Sequence, residues 1–199
     1  MRAADLRAIL GQPWVHGRAA DLRGQRIDGP LDLSGLALGG FDLRGCHFAG
    51  DVVAQGARFD GLSWFGGSTF AGGLDLSGAL FVNDARFEDC RLDGPATLSQ
   101  AEFRGIARFD RARFAQAACM DHLTCYGNLS LDQAEFAMGA DLSGSECLGG
   151  FWANGACFGP STSFADTQVH GRLWLRGARD GNADLHADRF GLCFGYTYR

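Results

Sequence analysis

The densest cluster of chemistry-bearing side chains is CMDHLTC, which places Cys119, His122 and Cys125 within one short stretch. Thiolate and imidazole are the usual ligands of zinc, so the cluster is the best metal candidate in the chain. Its spacing matches no paired Cys-x-x-Cys site, and the remaining histidines (16, 47, 170 and 186) are scattered without a shared partner. No nucleophile elbow, phosphate loop or dinucleotide fingerprint is present. The expectation is a protein without catalytic residues, metal or cofactor. Two further side chains stand out for recognition rather than catalysis: Trp152 and Trp174.

Charge narrows the classes further. The chain has 199 residues and a formal net charge of −5, from 23 acidic and 18 basic residues, and every basic residue is Arg. A nucleic-acid-binding domain is normally basic, so direct nucleic-acid binding is not expected. No apolar run approaches a membrane span, so no membrane contact is expected either. The opening MRAADLRAIL lacks an apolar secretory core, and the 7 Cys are odd in number and unpaired in spacing. Both point to a reducing cytoplasm. Arg86, Arg91, Arg104, Arg108, Arg111 and Arg113 form a basic girdle, but Glu88, Asp93, Glu102 and Asp110 interleave with it, so mutual pairing is expected.

What positions these residues is a repeat. There are 30 Gly in 199 residues, about twice the usual share, which suggests corners recurring many times. From residue 57 the chain divides into 11-residue units such as STFAGGLDLSG and AEFAMGADLSG, each with a large apolar residue at its third position and usually another at its ninth. The apolar centres step alternately by 6 and 5, giving 32 centres between Leu22 and Phe190. A period near 5.5 fits neither a helix nor a flat strand. It fits a chain that makes a short extended face, turns a corner and repeats. Four faces close a coil of about 22 residues, stacked on the next at roughly 4.8 Å. Each centre points inward, its neighbours point outward, and the small residue two places earlier tucks in near the corner.

Close copies of A-(D/N)-L-x-x stand at ADLRA (4–8), ADLRG (20–24), ADLSG (140–144) and ADLHA (183–187), with LDLSG at 31–35 and 74–78 and FDLRG at 41–45. In this the chain resembles pentapeptide-repeat proteins. The resemblance implies an all-β, right-handed quadrilateral β-helix (a solenoid) of about eight four-faced coils. The sixth residue on alternate faces, such as Gly73, Pro95 and Gly139, suggests bulging at two opposite corners. Residues 1–19 are expected to form an N-terminal cap, with a helix at 3–10 and Trp14 covering the open end. Residues 20–190 form the β-helix. Residues 191–199 form a C-terminal tail whose Phe194, Tyr196 and Tyr198 shield the last coil or dock on another copy as a homodimer.

The repeat sorts the outer surface by face. The face centred on 33, 54, 76, 98, 120, 142, 164 and 185 carries Asp32, Asp75, Asp121, Asp141 and Asp184 on its flanks and no Arg. Asp141 falls one coil above Cys119, while Cys125 and Cys147 fall in an inward column as small apolar fillers. Another column runs Trp64, Arg86, Arg108, Ser130, Trp152, Trp174, with the last two outward and adjacent. The leading expectation is a non-catalytic rod that binds a protein partner. The alternative implied by the resemblance is a DNA-mimicking protector or inhibitor of a type II topoisomerase, DNA gyrase or topoisomerase IV, of the antibiotic self-resistance type. Against it, a rod of about 38 Å would stand in for roughly 22 duplex charges with a net charge of only −5.

Overall fold

The structure is a computed structural model and describes residues 1–198. Its faces are four sheets of nine, nine, six and eight short strands, wound as a parallel β-solenoid of about eight coils. Most strands are only two residues long, because each face turns a corner before a longer ladder can form. Register advances by one coil at a time: Arg86 pairs with Trp64 below and Arg108 above.

The inward register follows the sequence period. Of the expected centres only Leu22, on the first coil, and Asp180 are not buried. Between Phe41 and Ala178 the residues two places before each centre are also buried, many of them small, as in the columns of Ala85 and Ala107 and of Ala112 and Ala134. Where the centre shrinks to Ala153, the position two before it grows to Phe151, fully buried, so core volume is kept. Three buried hydroxyls in these columns donate to the coil below, Ser68 Oγ to the Leu43 carbonyl at 2.7 Å, Ser145 Oγ to that of Met120 at 2.9 Å and Thr167 Oγ1 to that of Leu142 at 2.8 Å, whereas Ser63 Oγ finds no partner among the described residues.

Two kinds of corner alternate. Five-residue steps close with a left-handed residue, as at Asp89 (φ 57°), where the Cys90 N–H donates to the Phe87 carbonyl at 3.3 Å. Six-residue steps place their extra residue at the other two corners, which lie opposite each other. There a Cβ added at Gly127 would sit 2.4 Å from the Gly105 carbonyl oxygen, and one at Gly171 2.1 Å from that of Gly149. The glycines stack because successive coils leave no room for a side chain.

The helix α1 (Ala3–Leu10) lies over the first coil. Leu6 and Leu10, four apart and so on one helix face, are buried at 0% and 4% exposure and close the core. Trp14, expected over that end, instead lies beside Gly39 with 45% exposure, because the helix already fills the opening.

The C-terminal end departs from the period in three ways. Arg179–Asp180 and Ala183–Asp184 pair antiparallel, in the only such pairing among the described residues, so Asp184 leaves the acidic face for its neighbour. This hairpin lengthens the last coil: Cys193 stacks over Val169, 24 positions on (169 to 193), in the place expected for Phe190. Phe190 packs inward on Phe164 and Phe151 at ring distances of 4.7 and 5.3 Å. Residues expected as a tail therefore extend two sheets, through Leu192–Cys193 and Thr197–Tyr198. No helix among the described residues is long and apolar enough to cross a membrane.

Candidate interaction surface

Outward columns are built by the same register that builds the core. On the first face the residue before each centre runs Asp21, Asp42, Trp64, Arg86, Arg108, Ser130, Trp152, Trp174 and Tyr198. Trp152 and Trp174 are placed side by side, with ring centroids 6.3 Å apart and planes at 57°. Tyr198 continues the ladder, stacked on Trp174 at 4.3 Å and 20°. Both indoles are half-buried, and their Nε1 atoms are covered without a hydrogen-bond partner among the described residues. Tyr198 was not foreseen as part of this ladder, since it lies 24 rather than 22 positions beyond Trp174 (174 to 198).

Lower on the same column, Trp64 lies under the Arg44 guanidinium, 4.8 Å from its ring. The basic girdle is paired, as expected. Arg111 holds Asp89 through two hydrogen bonds of 2.7 and 2.8 Å, and Arg91, Arg104 and Arg108 reach Asp93, Glu102 and Asp110. Arg86 lies 3.4 Å from Glu88 and Arg113 3.6 Å from Glu135. These pairs, exposed or half-buried, neutralise the girdle rather than advertise it.

On the acidic face Asp32, Asp75 and Asp141 share one column, at the first, third and sixth coils, separated by Val53, Thr97 and Cys119. Asp121 stands in the parallel column on the other side of the centre. Each carboxylate is engaged locally. Asp32 accepts the Ser34 N–H at 2.9 Å, Asp75 the N–H and hydroxyl of Ser77, and Asp141 those of Ser143. Asp-x-Ser thus caps its own turn. Asp121 accepts from Ser99 Oγ, from Cys119 Sγ at 3.0 Å and from His122 Nδ1 at 2.9 Å. Those bonds, the Ser99 hydroxyl first, hold its carboxyl down at about 2. Asp184, on the neighbouring sheet, lies 3.8 Å from Arg179.

Cys119 and His122 meet through Asp121, but Cys125 points into the core, where burial pushes its thiol up to about 12. Among the described residues no three His, Cys, Asp or Glu side chains are arranged to hold a metal ion. Depressions on the rod are shallow and open; one, of about 460 Å³, is lined by Arg44, Trp64, Arg86, Glu88, Asp89 and Arg111.

A family model described as pentapeptide repeats (9 copies) matches residues 38–80 and 77–124. No curated protein matches the chain significantly. Among solved structures, the chain is similar to HetL, a pentapeptide repeat protein involved in heterocyst differentiation regulation from the cyanobacterium Nostoc sp. strain PCC 7120. The identity is 16%, over 99% of this chain and 94% of that one, with a TM-score of 0.24. It is also similar to QnrB1, a plasmid-mediated fluoroquinolone resistance protein, at 20% identity over 90% of each chain, with a TM-score of 0.25.

Proposed function

The chain is a pentapeptide-repeat protein, and from that premise we propose that it works without catalysis, as a rod whose outer surface binds a protein partner. The observation carrying this reading is the Trp152–Trp174–Tyr198 ladder, three adjacent aromatic side chains on an outer sheet face. Aromatic residues clustered at a surface are the usual anchors of protein interfaces. Leu192, Phe194 and Tyr196, exposed on the last described coil, extend the apolar surface and are where two copies would join as a homodimer. A cytoplasmic site of action suits the seven free thiols. The test is partner capture from lysate by wild type and by a Trp152→Ala, Trp174→Ala double variant. Loss of specific partners is expected; identical capture profiles would overturn the reading.

The second reading, mimicry of DNA toward gyrase or topoisomerase IV, is favoured by the acidic column Asp32, Asp75 and Asp141, whose carboxylates form no ion pair with an Arg among the described residues, although the Arg7 guanidinium donates to the Asp32 backbone carbonyl. Its charges are sparse, however. The three aspartates are two and three coils apart, about 10 and 14 Å at a coil spacing of ~4.8 Å, whereas a duplex carries a charge about every 1.7 Å. A DNA supercoiling assay with gyrase at low salt decides this reading. Absence of both inhibition and protection removes it.

A further inference from the structure

We infer that the aromatic ladder and the guanidinium groups of Arg172 and Arg176 form one docking surface for an acidic segment of a protein partner. The inference rests on the interaction reading above and names the chemistry of what binds.

Most paired arginines of the rod find their carboxylate two residues away on the same face; the exceptions include Arg111 and Arg113, which reach Asp89 and Glu135 on a neighbouring coil. Arg23 and Arg44 pair with Asp21 and Asp42, Arg86 with Glu88, and Arg108 with Asp110. Arg172 and Arg176 are exposed and form neither an ion pair nor a side-chain hydrogen bond among the described residues. The reason is positional. The slot two after Arg172 and two before Arg176 is the same residue, Trp174. One aromatic side chain therefore stands where two carboxylates would be, and it leaves a cation on each side of the ladder. Asp132, two coils below Arg176 in the same column, does not compensate, because Asn154 stands between them and its N–H and side-chain amide both donate to Oδ1 of the Asp132 carboxylate, at 2.8 and 2.9 Å.

Trp beside unpaired Arg also fits single-stranded nucleic acid, whose bases stack on aromatic faces. The ladder argues otherwise. Tyr198 stacks on one face of the Trp174 ring at 4.3 Å and 20°, and Trp152 crowds the other side at 6.3 Å and 57°, which leaves no open gap beside the ring for a base to insert. Edges suit apolar side chains; guanidinium forks suit carboxylates, in bidentate pairs. Arg172 opens the strand Arg172–Trp174 and Arg176 begins the turn that follows it, so the two flank Trp174 at a separation of at most about 13 Å. An extended segment reading Glu-x-apolar-x-Glu would set one carboxylate on each Arg and its apolar residue over Trp174.

The test is fluorescence anisotropy at low salt with a fluorescein-labelled peptide centred on Glu-Thr-Leu-Thr-Glu. Controls are its Gln-for-Glu counterpart and a labelled oligo(dT). Wild type should bind the Glu peptide, weaken as salt is raised, and bind the Gln peptide at least tenfold less well. Arg172→Ala with Arg176→Ala should lose at least tenfold, while Arg91→Ala with Arg113→Ala, which removes paired cations, should bind as wild type does. Circular dichroism confirms that the variants, all at exposed positions, remain folded. Failure of the Glu peptide to bind wild type, or equal binding to the Arg172/Arg176 variant, overturns the inference. So does tighter binding of oligo(dT) that the same two substitutions abolish, or concentration-dependent self-association that they abolish while the peptide is ignored. If the peptide fails while the Trp double variant still loses its lysate partners, only the acidic occupant falls. If both experiments are blank, the interaction reading falls with it.

Discussion

The rings of Phe87 and Phe109 lie 4.8 Å apart and 7° from parallel. That separation is the inter-strand spacing of a β-sheet, so one hydrogen-bonded ladder sets both the backbone repeat and the contact of the rings. The stack continues to Phe65 below, and Phe103 meets Phe109 edge-on across the core at 6.5 Å. Phe109 is fully buried, so Phe109→Ala should cost about 3–5 kcal/mol in urea unfolding, through the cavity left between coils. Asp110, the next residue, faces outward, yet it accepts the Ser130 hydroxyl and the Asp132 N–H. Asp110→Ala should therefore cost only about 1 kcal/mol. Equal losses would show that the inward register is misassigned.

The left-handed corners give a second check. Gly78 holds φ 63° and the equivalent corner one coil later is Gln100, at φ 58° with an exposed side chain. An L-residue pays about 1–2 kcal/mol there, part of which glycine returns through its looser unfolded state. Gln100→Gly should raise stability by about 0.5–1 kcal/mol, and Gly78→Ala should lower it by about 1 kcal/mol. Opposite signs at the two positions are the diagnostic result, read as shifts in thermal midpoint.

Nearly all of the solenoid was legible because its period is carried by core side chains that must repeat wherever coils stack. The Trp64–Trp174 column followed from the same arithmetic. Legibility ended where the chain left the period. The hairpin between Arg179 and Asp184 inserts residues that no apolar centre marks, so Asp184 and Phe190 were assigned by counting to faces they do not occupy, and Tyr198 was missed. Trp14 was misplaced because Leu6 and Leu10 close the core, a matter of packing that spacing alone does not weigh. That Arg172 and Arg176 find no carboxylate among the described residues was readable only once the two-residue pairing of the other arginines had been seen in space. The turn-capping role of the aspartates was likewise hidden: charge patterning marks Asp32 or Asp141 as an exposed anion, and says nothing of the Ser N–H each one holds.

Thiol chemistry offers a third expectation. Cys157 is exposed, Cys119 and Cys193 are partly covered, and Cys46, Cys90, Cys125 and Cys147 are buried. Burial pushes the thiols of Cys90 and Cys125 up to about 12 and raises that of Cys147 as well. Iodoacetamide should therefore label Cys157 first in the native protein, and the four buried thiols only on unfolding, as mass spectrometry of digests would show. The raised values also fix a sign. The folded state keeps protons that the unfolded chain gives up near pH 8.5, so stability is intact below that pH and falls as pH rises toward 12. Rapid native labelling of Cys125 or Cys147 would contradict the buried column.

The acidic face supplies the last expectation, and it separates charge from turn chemistry. Asp121 is held at about 2, by the Ser99 hydroxyl first and then by Cys119 and His122. A carboxyl lowered on folding stabilises fully above its ordinary value near 4 and loses that contribution as pH falls through its folded value. Asp121→Asn should flatten the stability profile between about pH 4 and 2 and leave it unchanged in shape above pH 5. For Asp75 burial works against ionisation, but the hydrogen bonds from Ser77 and Gln55 outweigh it and its carboxyl too lies below the ordinary range. What the Asp75 and Asp141 turns require, however, is an acceptor oxygen rather than a charge. Asn supplies that oxygen and Ala does not. Asp75→Asn with Asp141→Asn should therefore leave the thermal midpoint at neutral pH nearly unchanged, whereas the Ala pair should lose about 1 kcal/mol per turn. The Asn pair is thus the variant to carry into the gyrase assay, since it removes charge while keeping the fold. If the Asn pair destabilises as much as the Ala pair, the carboxylates act through charge and the turn-capping account is wrong.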